Sequence, residues 1–441
     1  MLIQFSVENF KSIREEQTLS MVKAVGNKMS NNYYNPHAPS VPELLKTAVI
    51  YGANASGKSN LLKAIFQMVS ILKSSFNKEL DEDIDVTPFL FNPTSKCEPT
   101  TFNISIVIDL LDENVIKPTL VEYGFSADGK QVYEEWLSVY PKGREQSWFH
   151  RIYDEKEAQY SWSESSFFKG QKSTWKENTR SDQLFLSTAV HLNSKQLKPI
   201  YDALVENIVI ISNDRIGDNY TKDFCKFDEK GKNLVLALMQ HADVDVDDIV
   251  IKKPKIKSIN FPKGMPLDIQ KRLTEQLHKQ EKVYFIHIDN EGNEIEIMLE
   301  EESDGTQKVF EFSSLILISL MKGGMLVIDE FNKSLHPDLV RFLVKLFNSD
   351  QNTANGQLVF TTHETSILRR DLLRRDQIWF CEKNKNKTTN LFSLSKFTSR
   401  DDGREDVEEY YLHGRYGAKP IISDFIFHNT TDGSLEEVSK L

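Results

Sequence analysis

The sequence predicts an α/β protein with a mixed β-sheet, an N-terminal β-lobe and a helical insertion. Three observations carry that prediction. A short apolar run, Thr47-Ala-Val-Ile-Tyr51, leads through a glycine-containing loop into residues 60–72, whose apolar positions recur at helical spacing. Far downstream, Met325-Leu-Val-Ile-Asp329 and Gln357-Leu-Val-Phe-Thr-Thr362 are continuous apolar runs of the kind buried on both faces of a parallel sheet, with a helical pattern over 339–347 between them. From 100 to 140 the pattern alternates instead, as in Phe102-Asn-Ile-Ser-Ile-Val-Ile-Asp109 and Val121-Glu-Tyr-Gly-Phe125, and Asp128-Gly129 is a strong hairpin signal.

In chain order, residues 1–10 read as a strand, because Ile3, Phe5, Val7 and Phe10 fall close to period two, and Asn9, Lys11 and Ser12 suggest a turn. Residues 27–42 are polar and turn-rich, and 100–140 form a β-meander. Residues 141–180 are polar and aromatic-rich, with Trp148, Trp162 and Trp175, and no single period places them. From 183 to about 250 the spacing turns helical, as in Leu197, Ile200, Tyr201, Leu204 and Val205, and sustained heptads are missing. Strands return at Val283-Tyr-Phe-Ile-His-Ile288 and Ile295-Glu-Ile-Met-Leu299, with Asn290-Glu-Gly292 turning between them, and 310–321 is helical. The expected organisation is therefore an N-terminal lobe over 1–182, a mainly helical insertion over 183–282 and a C-terminal lobe over 283–441.

Composition narrows the class. The chain has 441 residues, 39% hydrophobic and 27% charged, which excludes collagen and a wholly disordered chain. Lys and Arg number 54 against 65 Asp and Glu, a net charge of -11, so no global basic field draws it to nucleic acid or anionic lipid. Cys97, Cys225 and Cys381 are far apart with no C-x-x-C pair, so neither a disulfide framework nor a zinc site is written here. The N-terminus lacks an apolar export segment and no window holds eighteen uninterrupted apolar residues, so the expectation is a cytoplasmic protein without a membrane span.

The residues that carry chemistry begin with Gly52-Ala53-Asn54-Ala55-Ser56-Gly57-Lys58-Ser59, an intact G-x-x-x-x-G-K-S between a strand and a helix that opens near Asn60. Glycines let backbone N–H groups fold around phosphate oxygens, and the helix N-terminus adds positive potential. Lys58 reaches the β- and γ-phosphates and the Ser59 hydroxyl ligates Mg²⁺. In Leu326-Val-Ile-Asp329-Glu330, Asp329 ends a buried strand where a Walker-B carboxylate holds the metal. Glu330 turns at the strand's exit to orient a water as general base. The next strand ends in Thr361-Thr362-His363, which places a histidine beside the γ-phosphate or the attacking water. Upstream, Ser303-Asp-Gly305-Thr306 precedes a helix, a second segment suited to phosphate. Together these residues point to ATP and Mg²⁺.

These segments, in this order, resemble the ABC-type P-loop NTPase heads of the RecF/SMC kind. More narrowly, the chain resembles the bacterial AAA-family ATPases associated with abortive infection and anti-phage defence, related to the ATPase half of OLD-family nucleases. The likeness runs through Phe5-Ser-Val-Glu-Asn-Phe-Lys-Ser12, the Walker A loop, Ser303-Asp-Gly-Thr306 as signature, Ile328-Asp-Glu330 with Ser334-Leu-His-Pro337, Thr362-His363 and Tyr411-Leu-His-Gly-Arg-Tyr-Gly-Ala-Lys-Pro420. It implies that Ser303 and Gly305 of one subunit close on the γ-phosphate held by Lys58 and Ser59 of another, giving a head-to-tail homodimer or a higher homo-oligomer. Asp304 stands where a glycine is usual in the transporter-like signature. A glutamine contact to Mg²⁺ is also implied, and His191 in Leu184-Phe-Leu-Ser-Thr-Ala-Val-His191 is the residue considered for it. Only 78 residues follow His363, without the clustered acidic pattern of an OLD-type nuclease, so the expected effector is a separate protein such as a nuclease or toxin.

Two readings stay open. Lys252, Lys253, Lys255 and Lys257, with Lys263 beyond, form either a DNA or RNA patch or a solvated face. Arg369-Arg370 and Arg374-Arg375 either add to such a patch or pair with acidic neighbours. A nucleic-acid patch would favour a RecF/SMC-like DNA-binding ATPase in repair or recombination over an effector-controlling one. The aromatic-rich 141–180 segment is either a partner surface or the core of the β-lobe.

Overall fold

The computed structural model describes residues 1–80, 82–112, 115–211, 219–253, 265–266, 281–398 and 406–420. Its centre is a six-stranded sheet in the order Ile208–Ile211, Met325–Ile328, Gln357–Thr361, Thr47–Gly52, Ile378–Lys383, Thr389–Ser393. The first five strands are parallel and the last is antiparallel to its neighbour. Alternation along Thr47–Gly52 divides the core in two. Ala48 and Ile50 join one apolar cluster, and Val49 and Tyr51 join another on the opposite face.

The first cluster is shared with a seven-stranded antiparallel sheet in the order Gln159–Glu164, Gln146–Asp154, Val132–Tyr140, Val115–Ala127, Thr100–Asp112, Leu2–Glu8, Gln17–Ser20. Buried residues of the helix Lys58–Ser74, among them Leu61, Leu62, Ile65 and Met68, lie in that cluster with residues of both sheets. The second cluster holds the helices Asp304–Lys322 and Pro337–Phe347. There Tyr411 and Tyr416, from the segment 411–420, stack on Phe380 with ring centroids 5.4 and 5.7 Å apart. The mixed α/β architecture with an N-terminal β-lobe is thus present.

The helical insertion needs correction. Residues 183–282 do contain helices, but Ile208–Ile211 is an edge strand of the central sheet, in register with Met325–Ile328. Four consecutive β-branched residues outweigh the helical spacing that precedes them. The helices Phe185–His191 and Lys198–Glu206 bury Ala189, Ile200 and Leu204 in the first cluster, so they belong to the core. Only later does the chain leave it. The helices Asn219–Phe227 and Glu229–His241 pack on Asp304–Lys322, beside a three-stranded sheet of Asp248–Lys252, Lys282–Ile288 and Glu294–Met298. That unit straddles the expected boundary at 282.

Residues 141–180 place Trp148, Phe149, Phe168 and Trp175 in the β-lobe core, while Ile152 and Phe167 are exposed. Two of their segments, Gln146–Asp154 and Gln159–Glu164, extend the meander, and Trp175 is buried on the helix Lys172–Glu177. Arg151 and Glu135 form an ion pair at 2.9 Å with both side chains fully buried. Glu135 also accepts the N–H groups of Phe185 and Leu186 at 2.6 and 2.9 Å and the Tyr123 hydroxyl at 3.0 Å. This satisfies the start of the helix Phe185–His191 and ties the β-lobe to it. That helix in turn meets the Lys58–Ser74 helix, where the Ser187 hydroxyl donates to Leu72 O at 2.6 Å.

Candidate functional site

At the C-terminal end of the strand Thr47–Gly52 the chain makes a tight loop and enters the helix Lys58–Ser74. Gly57 has φ of 106°, and a Cβ there would lie 2.0 Å from Thr389 Oγ1 and 2.8 Å from Ser12 Oγ. The position therefore requires glycine by conformation and by space. Ala55 also sits in the left-handed region, at φ of 61°. Lys58 Nζ donates to Gly52 O at 2.8 Å and Ala53 O at 3.1 Å, so the lysine spans the mouth of its own loop. Burial lowers its pKa below the ordinary lysine value, opposed by Cys381, Asp329 and Glu330. A negatively charged phosphate beside such a buried cation would offset that desolvation.

The acidic half arrives from the neighbouring strands. Asp329 Oδ1 accepts the Ser59 hydroxyl at 3.1 Å and the Thr361 hydroxyl at 2.5 Å. Two hard oxygens this far apart match the roughly 2.9 Å separation of adjacent ligands around an octahedral Mg²⁺ with bonds of about 2.05 Å. Ser59 and Asp329 thus fit a Mg²⁺ site. Among the described residues no cluster of three or more His, Cys, Asp or Glu stands ready to hold a metal. The remaining ligands would be phosphate oxygens and water.

Glu330 takes φ of 51°, an uncommon state for a residue with a side chain, and its N–H donates to Thr361 Oγ1 at 2.7 Å. The left-handed turn ends the strand's alternation, which frees Glu330 from pointing opposite to Asp329. His363 lies close enough to feel both carboxylates and Lys58. Crowding by protein lowers its pKa most, Lys58 lowers it further, and Glu330 and Asp329 act in the other direction. Its backbone is held by Asn332, whose Oδ1 accepts the Thr362 hydroxyl at 2.8 Å and the His363 N–H at 3.2 Å. The structure therefore brings Lys58, Ser59, Asp329, Glu330 and His363 together.

Ser303 and Gly305 are elsewhere. Ser303 caps the helix Asp304–Lys322, its Oγ accepting the Thr306 N–H at 3.1 Å, and it is exposed. Gly305 faces Ser334, whose carbonyl would be 3.2 Å from an added Cβ. Among the described residues no hydrogen bond joins 303–307 to 52–60. Asn60, expected on the nucleotide, directs its side-chain amide to Ser12 Oγ at 2.8 Å.

His191 is not positioned for the metal contact considered for it. Its ring stacks on Phe76 at 4.3 Å and its Nδ1 donates to Ser187 O at 2.9 Å. Phe76 follows a helix of 17 residues that begins at Lys58, which puts it roughly 25 Å from the loop.

Some of the candidate basic residues are paired. Lys252 bonds Glu296 and lies over the Tyr284 ring at 4.8 Å, while Lys255, Lys257 and Lys263 lie outside the described residues. Arg369 pairs with Asp371 and Arg374 with Asp376, each at 2.9 Å, and Arg375 donates to Leu394 O and Phe397 O. No described helix is long and apolar enough to cross a membrane. Thr361 and Ser12 lie in the segments read from sequence but receive no role there, and the sequence does not single out Asn332 or Thr389. Thr361 and Asn332 adjoin motif residues in sequence, whereas Thr389 has no local signal at all.

A strand, glycine loop and helix in a parallel sheet, with an acidic pair at the end of the Met325–Ile328 strand one strand removed, define a P-loop α/β ATPase domain. The chain belongs to the family described as "AAA domain, putative AbiEii toxin, Type IV TA system", whose model matches residues 48–204 and 228–369. No curated protein matches it. Among solved structures, an SMC head bound to the C-terminal winged-helix domain of ScpA aligns at 12% identity and a TM-score of 0.39, covering 89% of this chain and 97% of that one. The SMC head domain from Thermotoga maritima aligns at 11% identity and a TM-score of 0.38, over 89% and 98%. These are distant likenesses, and the chemistry of the site stands on its own geometry.

Proposed function

We propose that this chain binds and hydrolyses ATP with Mg²⁺, closes into a homodimer or higher homo-oligomer on ATP, and thereby controls a separate effector in anti-phage defence. The observation that carries the enzymatic part is the convergence on one site of the Lys58 cation, the Ser59–Asp329 oxygen pair and Glu330. In this reading the backbone from Gly52 to Asn60 cradles the phosphates, and Lys58 neutralises the β- and γ-phosphate oxygens. Ser59 and Asp329 would hold Mg²⁺, which when bound would neutralise charge on the phosphates, including the departing ADP. Glu330 accepts a proton from the attacking water, and His363, neutral and held by Asn332, orients the γ-phosphate side of that water.

Association follows from the placement of the signature. Ser303 and Gly305 present an exposed helix N-terminus with no bond to their own loop, so the phosphate they would meet is one held by a second copy. The family's description supports a link to toxin systems, which is the ground for a separate nuclease or toxin as effector; a cytoplasmic site of action is proposed from the three scattered cysteines and the N-terminal pattern. The nucleic-acid reading is the weaker one, because Lys252, Arg369 and Arg374 each have an acidic partner.

The test is phosphate release from purified protein with Mg·ATP, beside the Glu330→Gln variant. Retained ATP binding with hydrolysis slowed at least ~10²-fold is expected, the usual loss for a general base. Wild-type turnover in the variant would assign the base elsewhere. The same variant, held in the ATP state, is the bait for isolating the effector from the native host.

A further inference from the structure

We infer that Thr389 is a positioning residue for the phosphate loop, acting through a one-way hydrogen-bond chain that runs from Asn60 through Ser12 and Thr389 to Ser56. The inference rests on the nucleotide-binding reading above and adds to it a group that no motif contains. Four atoms form the chain. Asn60 Nδ2 lies 2.8 Å from Ser12 Oγ, Ser12 Oγ lies 2.8 Å from Thr389 Oγ1, and Thr389 Oγ1 lies 2.8 Å from the Ser56 carbonyl oxygen. The Thr389 N–H also donates to Ser12 O at 2.7 Å, which fixes the two segments although 377 residues separate them. Ser12, Ser56 and Thr389 are all buried.

The direction of the chain follows from the donor inventory. A carbonyl oxygen only accepts, so the single Thr389 hydroxyl proton goes to Ser56. Thr389 Oγ1 must then accept from Ser12, and Ser12, its proton spent, accepts from the Asn60 amide. Turning the Asn60 amide over would leave the Ser12 and Thr389 oxygens facing each other without a proton between them, so only this arrangement forms all three bonds. Each bond polarises the next.

The end of the chain is the peptide that matters. In a trans peptide the C=O and the following N–H point to opposite sides. With Ser56 C=O drawn back to Thr389, the Gly57 N–H is turned to the other side of the loop, where phosphate oxygens gather. Thr389 also fills the space behind Gly57, where an added Cβ would lie 2.0 Å from its Oγ1. It therefore sets both the orientation and the tightness of the loop from an antiparallel strand outside every motif.

The experiment is a calorimetric titration of the full chain with Mg·ATP for wild type, Thr389→Val, Thr389→Ser and Ser12→Ala, in which stoichiometry counts folded molecules and Kd reports the loop. Thr389→Val keeps the shape and leaves a buried carbonyl without its donor, so Kd should rise about tenfold at unreduced stoichiometry. Thr389→Ser restores the donor and should return within about twofold of wild type. Ser12→Ala leaves the Thr389–Ser56 bond in place and should cost less than about threefold. In steady state Thr389→Val should raise KM with little change in kcat, the pattern of lost uniform binding. A Thr389→Val Kd within twofold of wild type overturns the proposal, as does a Ser12→Ala loss equal to that of Thr389→Val. Should Thr389→Val fail to fold, Ser12→Ala against Thr389→Ser still decides it, since a tenfold loss in Ser12→Ala contradicts the chain's direction and a tenfold loss in Thr389→Ser shows that the methyl group, not the hydroxyl, holds the loop. A wild-type protein that binds no ATP rejects the nucleotide reading itself, which is a different outcome.

Discussion

Thr361 and Asp329 are joined by a 2.5 Å hydrogen bond, in which the threonine hydroxyl donates to the same carboxylate oxygen that accepts Ser59. The Thr361 oxygen in turn accepts the Glu330 N–H, so one hydroxyl on the Gln357–Thr361 strand fixes both acidic residues of the neighbouring strand. A side chain with no charge of its own thereby holds both Asp329 and Glu330, the proposed metal ligand and general base.

Thr361→Val should lower kcat by about 10- to 100-fold, because it removes the donor to Asp329 and the acceptor that steadies Glu330 in its left-handed turn. Thr361→Ser keeps the hydroxyl and should retain most activity. Equal losses in the two variants, with equal folded fractions by circular dichroism, would show that the methyl group and not the hydroxyl matters.

Lys58→Ala should weaken ATP binding by about 100-fold or more, since the loop commits this one cation to the phosphates. The check is a titration with Mg·ATP and with adenosine. Triphosphate affinity should collapse while any adenosine affinity is kept, and an unchanged triphosphate Kd removes Lys58 from the site.

Much of this was legible in the sequence and some was not, for identifiable reasons. The P-loop and the Asp329–Glu330 strand announce themselves because their chemistry is local, set by residues within eight positions of one another. The strand Ile208–Ile211 escaped because four apolar residues after a helix suit either period, and only pairing with Met325–Ile328 decides between them. His191 is considered only because the resemblance implies a metal contact from this region, yet Phe76 and Tyr201 flank its ring in an aromatic cluster. The Thr389–Ser12 contact has no sequence signal because the fold alone brings the last strand of the sheet to the N-terminal turn. Trp162 and Trp175 carry no periodic signal because their places are set by tertiary contacts, Trp162 beside Arg151 and Phe185 and Trp175 against Phe168.

His363 should set the acid limb of the kcat/KM profile. Its pKa in the free protein lies below the ordinary 6.5, so at any pH between the two values the ring stays neutral where an unperturbed histidine would be charged. Activity that needs the neutral ring is therefore retained above that lowered value and lost as pH falls through it, giving a limb centred below 6.5. The folding contribution has the same sign. The unfolded chain binds the proton first, so acidification through this window also destabilises the protein. In His363→Gln the limb should vanish along with most activity, and a limb of unchanged position there would belong to another group.

The last prediction concerns the distance between Ser303 and Lys58. Ser303 is exposed at the start of the Asp304–Lys322 helix, and among the described residues it makes no hydrogen bond to the 52–60 loop, so in the proposed mechanism it meets phosphate across an interface. Ser303→Arg removes a helix cap, costing about 1 kcal/mol, and adds a bulky cation where a partner's loop must approach. ATP binding by the isolated subunit should survive, while ATP-dependent association and hydrolysis should be lost. Mixing Ser303→Arg with Lys58→Ala then gives a decisive case. In a mixed dimer one site has the intact Lys58 of the first subunit and the intact Ser303 of the second, and the other site has neither. Hydrolysis should return to part of the wild-type level where each variant alone has none. If differentially tagged subunits are shown to pair and the mixture still neither crosslinks across the intact site nor releases phosphate, the shared-site mechanism is wrong, and Ser303 serves only to cap its helix.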